Sequence, residues 1–239
     1  MTAPRRRALL LIPTPREAEL LLGDAGRGLG APRLATFAGR SLRVALTGWG
    51  LAAAGASSGR WIAELHPDLV VLAGIAGTLE RERLPVGALL VASRVACDGL
   101  GAGVDDRVVP LREPPLPASL VPAFAPSLAG DGALPLAPLL APLDASRAGA
   151  RTGALLSVAA AAGSRSQAEA RRARHPEALA EEMEGYAVAL AAHLAAVPLT
   201  ILRGVSNEAG DRDHASWQIE PALAACRRAL EQLFEALPR

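Results

Sequence analysis

Short apolar runs alternate with helix-type segments along most of this chain, and this alternation is the strongest constraint on its fold. After Asp68, the run at residues 69–73 is apolar at every position, which is typical of a strand buried on both faces of a sheet. Strands that alternate with helices predict an α/β domain whose sheet carries helices on both faces. The predicted strands are residues 7–12, 42–47, 68–73, 86–95, 154–158 and 198–205, and the predicted helices begin at Pro15 and cover 52–65, 166–174, 185–196 and 215–237.

The middle of the chain interrupts this pattern. Nine of the 19 prolines fall between residues 110 and 142, and proline removes a backbone donor and fixes φ. Residues 104–150 are therefore predicted to form an irregular surface excursion, with a lid or a subunit contact as the alternative. The length of 239 residues suits one large α/β domain, so we predict a single domain over residues 1–239.

Composition excludes several kinds of chemistry. All 25 residues counted as Lys or Arg are arginine, so Schiff-base catalysis by lysine and a phosphate-loop lysine are excluded. The net charge of +1 does not favour a nucleic-acid groove, and a small molecule is the expected partner. Cys97 and Cys226 are too few for a disulfide framework, and the Cys and His spacings predict no metal site.

The first apolar run, residues 8–12, is too short for a signal peptide, whose apolar region has about 7–15 residues. No segment approaches the roughly 20 apolar residues of a membrane span. The sequence therefore predicts a cytoplasmic protein with no membrane partner.

Four chemically informative positions follow the predicted strands closely. They are Glu17, Trp49, the glycine-containing segment 74–77, which we predict to be a loop, and Asn207. Because ligands of open α/β sheets bind beyond the carboxyl ends of the strands, these positions are expected to converge on one rim.

Three segments and the N-terminal PTPREAELL carry a family resemblance: LVVLAGIAGTL at 69–79, EEMEGYAVA at 181–189 and LTILRGVSNEAGDRDHASW at 199–217. With these motifs the chain resembles the nucleoside phosphorylase/nucleosidase superfamily. Within it, the run RGVSN followed by RD and W is most similar to futalosine hydrolases of menaquinone biosynthesis, and methylthioadenosine/S-adenosylhomocysteine nucleosidases are a sister group. The resemblance implies a three-layer αβα sandwich with a mixed central sheet, a homo-oligomer, and an enzyme without a cofactor.

The resemblance also addresses whether water or phosphate is the nucleophile. Phosphorolysis needs fixed positive charge or a cluster of donors around the phosphate. The phosphorylases that this chain resembles use an arginine and a serine, and the matching positions here hold Leu72 and Ile75. Neither side chain binds an anion, so hydrolysis is expected.

The motif at 182–184 implies the ribose contacts. Glu184 matches the carboxylate that accepts hydrogen bonds from the 2′- and 3′-hydroxyls, and Met183 matches a residue packed on the ribose. Glu182 and Arg203 match polar residues beneath the ribose and the attacking water, or they form a structural ion pair. Ala76 and Gly77 are expected to contact the substrate from the predicted loop.

Glu17 matches the family glutamate that orients and deprotonates the attacking water. It also stands three residues after Thr14, which makes it the last member of a helix capping box. Both roles remain open at this point.

Asn207 is expected to select the leaving base, with Ser206 as its support. Adenine-specific relatives carry aspartate here, which can donate a proton to N7, whereas an amide donates hydrogen bonds to O6 or N7 without giving up a proton. Asparagine therefore favours hypoxanthine, unless Asn207 only forms a turn. Residues 158–162 carry alanines where threonines are expected, so contacts to the base from that segment are predicted to be made by the backbone.

Trp49 and Trp217 match positions that contact the 5′-substituent in the sister nucleosidases. Two indoles would form the broad aromatic surface that the benzoate-bearing chain of futalosine needs, although they could equally stabilise a loop and the last helix. The expected function is hydrolysis of futalosine to hypoxanthine. Methylthioadenosine/S-adenosylhomocysteine hydrolysis and non-catalytic nucleoside binding are the alternatives.

Overall fold

The computed structural model describes residues 7–104, 107–110, 133–136 and 149–237. Its strands are β1 (Ala8–Ile12), β2 (Arg33–Phe37), β3 (Arg40–Leu46), β4 (Leu69–Thr78), β5 (Leu89–Cys97), β6 (Gly101–Val104), β7 (Arg107–Pro110), β8 (Leu134–Pro135), β9 (Ala150–Ser157), β10 (Ala178–Glu182) and β11 (Leu199–Glu208). Its α-helices are α1 (Pro15–Leu22), α2 (Leu51–Leu65), α3 (Arg165–Arg174), α4 (Gly185–Leu194) and α5 (Ile219–Ala236).

A mixed sheet forms the centre of the molecule. Its strands lie in the order β10-β9-β5-β11-β4-β1-β3-β2, with β8 added beside β5. β4 is parallel to β1 and β11, whereas β5 is antiparallel to β11 and β2 is antiparallel to β3. The last residues of β4 also pair with β10, so β4, β11, β5, β9 and β10 close into a ring. The predicted mixed sheet is confirmed.

Helices cover both faces of this sheet. Successive residues of β1 point to opposite faces, so Leu10 joins the buried cluster that contains Leu223 of α5, and Leu11 joins the cluster that contains Val188 of α4. α1 packs with α5 on the first face, and α2 packs with α4 on the second. This arrangement confirms the predicted three layers and explains why the strand runs are continuously apolar.

Three local predictions need correction. The segment 74–77 is not a loop, because β4 continues through it and pairs with β11 on one side and, at Gly77, with β10 on the other. Gly74 permits a close approach of another side chain to this strand, because a Cβ at this position would collide with the guanidinium of Arg203. Sequence patterning also missed β2 and β10, and β11 extends to Glu208, beyond the predicted end at residue 205.

Only parts of the proline-rich region lie within the described residues. There, β6 pairs with β7 in a two-stranded antiparallel sheet, and β8 pairs with β5. The remainder of residues 104–150 lies outside the described part of the chain, so the surface excursion stays a prediction. Within the described part, no helix is long and apolar enough to cross a membrane.

Candidate active site

A cavity of about 320 Å³ lies where the predicted strand ends converge. Its walls come from the β1–α1 and β3–α2 turns, the ends of β4 and β11, the β10–α4 junction and the segment before α5. Ten of the eleven predicted site residues line it: Glu17, Trp49, Ala76, Gly77, Glu182, Met183, Glu184, Ser206, Asn207 and Trp217. The eleventh, Arg203, is fully buried on β11 and contacts two of these lining residues.

Arg203 joins two carboxylates at one end of the cavity. Its Nη2 atom donates to Glu182 Oε2 and, at 3.2 Å, to Glu184 Oε2. The ion-pair alternative for Glu182 and Arg203 is therefore present in the structure. Arg203 Nε and Nη1 have no hydrogen-bond partner among the described residues.

Glu182 accepts four hydrogen bonds from its own surroundings, one of them from Arg203. Its Oε1 atom accepts from the Ser157 hydroxyl, and Oε2 accepts from the backbone N–H groups of Glu184 at 3.0 Å and Gly185 at 2.8 Å. These bonds tie the end of β10 to the start of α4. They place the neighbouring Glu184 at the cavity wall.

Glu184 has fewer partners and keeps acceptor capacity. Its Oε1 atom accepts from the backbone N–H of Gly50 at 3.0 Å, and Oε2 accepts from Arg203. Burial, together with the nearby Glu182 carboxylate, raises the pKa of Glu184 to about 7, although Arg203 and the Gly50 N–H oppose the shift. Each oxygen retains a lone pair for a further donor.

Glu17 forms the predicted helix cap and also lines the cavity. Thr14 caps α1: its hydroxyl accepts from the Glu17 backbone N–H at 3.2 Å and donates to Glu17 Oε2 at 2.6 Å. Glu17 Oε1 accepts from the backbone N–H of Ile75 at 3.0 Å. A Cβ on Gly74 would lie 2.9 Å from Glu17 Oε1 and would overlap Arg203 Nη1, so these two polar atoms flank the same glycine.

A β-bulge positions Asn207. The register of β11 against β4 shifts between Val205 and Asn207, so Ser206 is the extra residue. Asn207 Nδ2 donates to the carbonyl of Glu208 at 2.8 Å, and Oδ1 accepts from the Ser206 hydroxyl at 2.8 Å. Because a carbonyl only accepts, this contact determines the orientation of the amide and leaves one N–H of Nδ2 available.

The two tryptophans lie at the open part of the cavity. Trp49 is 71% exposed, whereas Trp217 is half-buried and contacts His214, with ring centroids 4.5 Å apart and the ring planes tilted by 58°. The guanidinium of Arg212 lies 5.7 Å from the centre of the Trp217 ring. Arg212 and His214 also line the cavity.

The groups around Arg203, which form the floor of the cavity, carry net negative charge, and this charge disfavours the binding of an anion such as phosphate. Three carboxylates, Glu17, Glu182 and Glu184, surround the single guanidinium of Arg203. Of the two positions matched to phosphate ligands, Leu72 lies in the core, and Ile75 presents an aliphatic side chain to the cavity. Within the described residues, no group of three or more His, Cys, Asp or Glu side chains could hold a metal ion.

The motifs assigned no role to Glu181 and Arg212, and both line the cavity. Arg212 follows the strand-end asparagine closely enough to suggest a site position, but its sequence neighbours do not indicate which way it points. Glu181 is adjacent to the recognised motif, yet its position opposite Gly77 depends on β10, a strand that periodicity did not reveal.

The sequence profile of the Phosphorylase superfamily matches residues 25–239 of this chain. A futalosine hydrolase of Streptomyces coelicolor is 38% identical over 205 residues, which cover 80% of each chain. The native futalosine hydrolase of Helicobacter pylori superposes with a TM-score of 0.73 at 18% identity, covering 97% of this chain and 98% of its own. The 5′-methylthioadenosine/S-adenosylhomocysteine nucleosidase of the same organism, bound to butyl-thio-DADMe-Immucillin-A, gives 0.76 at 19% identity, covering 98% and 100%.

Proposed function

Since this chain belongs to the phosphorylase superfamily, we propose that it hydrolyses the N-glycosidic bond of futalosine and releases hypoxanthine. The observation that carries the proposal is the pairing of a carboxylate-rich floor with an amide donor at the end of β11. The carboxylates suit a positively charged sugar, and the amide suits a 6-oxopurine leaving group.

In this mechanism Glu184 accepts hydrogen bonds from the ribose 2′- and 3′-hydroxyls, and its charge stabilises the oxocarbenium-like sugar. Met183, beside it in the cavity, packs against the ribose. Glu17, which lines the cavity, holds a water molecule below the anomeric carbon, and the buried Arg203 lies beneath this position. As the water oxygen bonds to that carbon, Glu17 takes its proton.

The glycosidic bond breaks with its electron pair on the base. The available N–H of Asn207 donates to O6 or N7 and stabilises the charge that builds there, while Ser206 keeps the amide in the required orientation. A solvent proton completes hypoxanthine. The other product is dehypoxanthine futalosine.

The direct test is a product assay on purified protein. We expect release of hypoxanthine from futalosine at a rate that does not change when phosphate is added. Release of adenine from methylthioadenosine, without release of hypoxanthine from futalosine, would favour the sister nucleosidase activity. Calorimetric binding of futalosine without turnover would indicate a nucleoside-binding protein, and a phosphate-dependent rate would indicate phosphorolysis.

Asn207→Asp should lower kcat/KM for futalosine by about 10- to 100-fold, because the hydrogen-bond donor to O6 or N7 is lost. The aspartate must also face the Glu208 carbonyl, and it can do so favourably only when protonated. Hypoxanthine release by the variant should be compared with that of Asp213→Asn, a matched change on the nearby exposed loop. An unchanged rate for Asn207→Asp would remove the amide from base recognition.

Arg212 is our candidate for the residue that binds the substrate carboxylate. It lies beside the Trp217 ring at the open part of the cavity, and no ion pair engages it within the described residues. Arg212→Gln should raise KM for futalosine about tenfold, because an exposed charge-assisted bond contributes modestly. KM for inosine, which lacks the carboxylate, should not change. If only Arg16→Gln raises KM for futalosine, the carboxylate is bound by Arg16, the other arginine that lines the cavity.

Three further predictions belong to this proposal: a role in menaquinone biosynthesis, a cytoplasmic location and a homo-oligomeric state. A second cavity between α2 and α4 supports self-association, because alanine, glycine and leucine dominate its lining and Leu194 is 56% exposed there. The role of Trp49 and Trp217 as the binding surface for the 5′-substituent also remains a proposal.

A further inference from the structure

We propose that Glu181 accepts a hydrogen bond from N1–H of the base and thereby selects a 6-oxopurine over adenine, together with Asn207. This inference rests on the proposed function, because it takes a purine nucleoside as the ligand of the cavity. It adds a second determinant of base specificity to the one that the strand-end asparagine provides.

The register of three strands places Glu181 and Asn207 on either side of one glycine. Gly77 on β4 pairs with Glu181 of β10 on one side and with Asn207 of β11 on the other. Neighbouring strands lie about 4.8 Å apart, so the two backbones are separated by about 10 Å. Gly77 adds no side chain between them, and a Cβ on Gly77 would lie 3.3 Å from both Asn207 Nδ2 and the Cα of Ala209. In this proposal the planar base lies beside this glycine, between the two polar side chains.

Two donors fix the position of the Glu181 carboxylate, which can still accept further hydrogen bonds. Its Oε1 atom accepts from the backbone N–H of Ala162 at 2.7 Å, and its Oε2 atom accepts from Arg171 Nη1 at 2.7 Å. The residue is 4% exposed and lines the cavity. Since each carboxylate oxygen has two lone pairs, both oxygens can accept one more hydrogen bond.

The hydrogen bond from Ala162 also changes which polar groups the cavity wall at residues 158–162 presents to a ligand. Residues 158–162 were expected to contact the base through the backbone. The Ala162 N–H already donates to Glu181, so the wall presents a carboxylate at this point instead of that donor. Arg171 supports the same wall, because its Nη2 atom donates to the carbonyl of Ala160 and its Nε atom to Asp98.

These polarities match hypoxanthine and oppose adenine. Hypoxanthine carries a donor at N1 and an acceptor at O6, which complement the Glu181 carboxylate and the Asn207 N–H. Adenine carries an acceptor at N1 and a donor at its 6-amino group, so both contacts would be mismatched. Unmatched buried polar groups are costly, which makes such a pair of contacts selective.

The test measures how Glu181→Gln changes the preference between bases. Calorimetry on the wild-type protein should show at least tenfold tighter binding of hypoxanthine than of either adenine or 1-methylhypoxanthine, which lacks the N1 hydrogen. In Glu181→Gln the preference for hypoxanthine over adenine should fall at least tenfold. The ratio of kcat/KM for futalosine to that for its 6-amino analogue should fall in parallel.

Arg171→Lys is the control for a purely structural role. It loses the guanidinium bond to the Ala160 carbonyl but keeps a cation beside the Glu181 carboxylate, so it should weaken binding of both bases by similar factors. The proposal fails if Glu181→Gln also weakens both equally, or if 1-methylhypoxanthine binds the wild type as tightly as hypoxanthine does. The second measurement needs no variant, so a folding defect cannot obscure it. If the wild type does not cleave futalosine, the proposed function fails, and the binding preference still decides the role of Glu181.

Discussion

Glu17→Gln should lower kcat for futalosine hydrolysis by about 10²–10⁴-fold, the usual contribution of a general base. An amide cannot take the proton from the attacking water, although its oxygen can still accept from the Ile75 N–H. KM should change little, because the ribose and base contacts remain. Steady-state assay of hypoxanthine release measures the effect.

The capping role of Glu17 must be separated from its catalytic role. The glutamine can still form a hydrogen bond with the Thr14 hydroxyl. The free energy of unfolding, measured by thermal denaturation, should therefore fall by no more than the loss of a helix cap costs, about 1 kcal/mol. Glu19→Gln, on the same helix in an exposed ion pair with Arg27, should retain full activity. A Glu17→Gln variant with wild-type kcat would leave Glu17 as a helix cap alone.

Glu184→Gln should remove about 2–4 kcal/mol of transition-state stabilisation, by analogy with the loss of an oxyanion-type contact. The neutral amide offers one acceptor to two ribose hydroxyls, and it no longer stabilises the positive sugar ring. It also removes one carboxylate partner of Arg203, while Glu182 remains. The measurement is kcat/KM for futalosine, with Glu64→Gln on the exposed face of α2 as the matched substitution. Unchanged kcat/KM would exclude Glu184 from the site.

The raised pKa of Glu184 predicts that kcat/KM depends on pH. Because burial raises the pKa of Glu184 to about 7, the carboxyl group is largely neutral below that pH and ionised above it. The ionised form is the one that binds both hydroxyls and stabilises the cation, so kcat/KM should rise as the pH increases through about 7. Glu184→Gln should lose this rise. A rise that persists in the variant would have to come from another group.

Much of the site was predictable because its residues belong to the compact motifs that carry the family resemblance. Glu184, Met183 and Asn207 were named from these motifs, and the structure brings them to one cavity. The segment 74–77 was wrongly predicted as a loop because glycine commonly marks turns. In the folded chain the glycine at position 74 instead gives Arg203 and Glu17 room to approach the strand.

The sequence by itself determined the layered α/β fold, since buried strands and amphipathic helices have local periodicities that can be read directly. It also determined which residue types are available to the chemistry. Only the tertiary structure decided which of them face one another. Glu181 and Asn207 lie on either side of Gly77 through pairings between residues more than 100 positions apart and through a bulge that redirects Asn207. Such pairings depend on how strands associate in space, and no local pattern in the sequence records them.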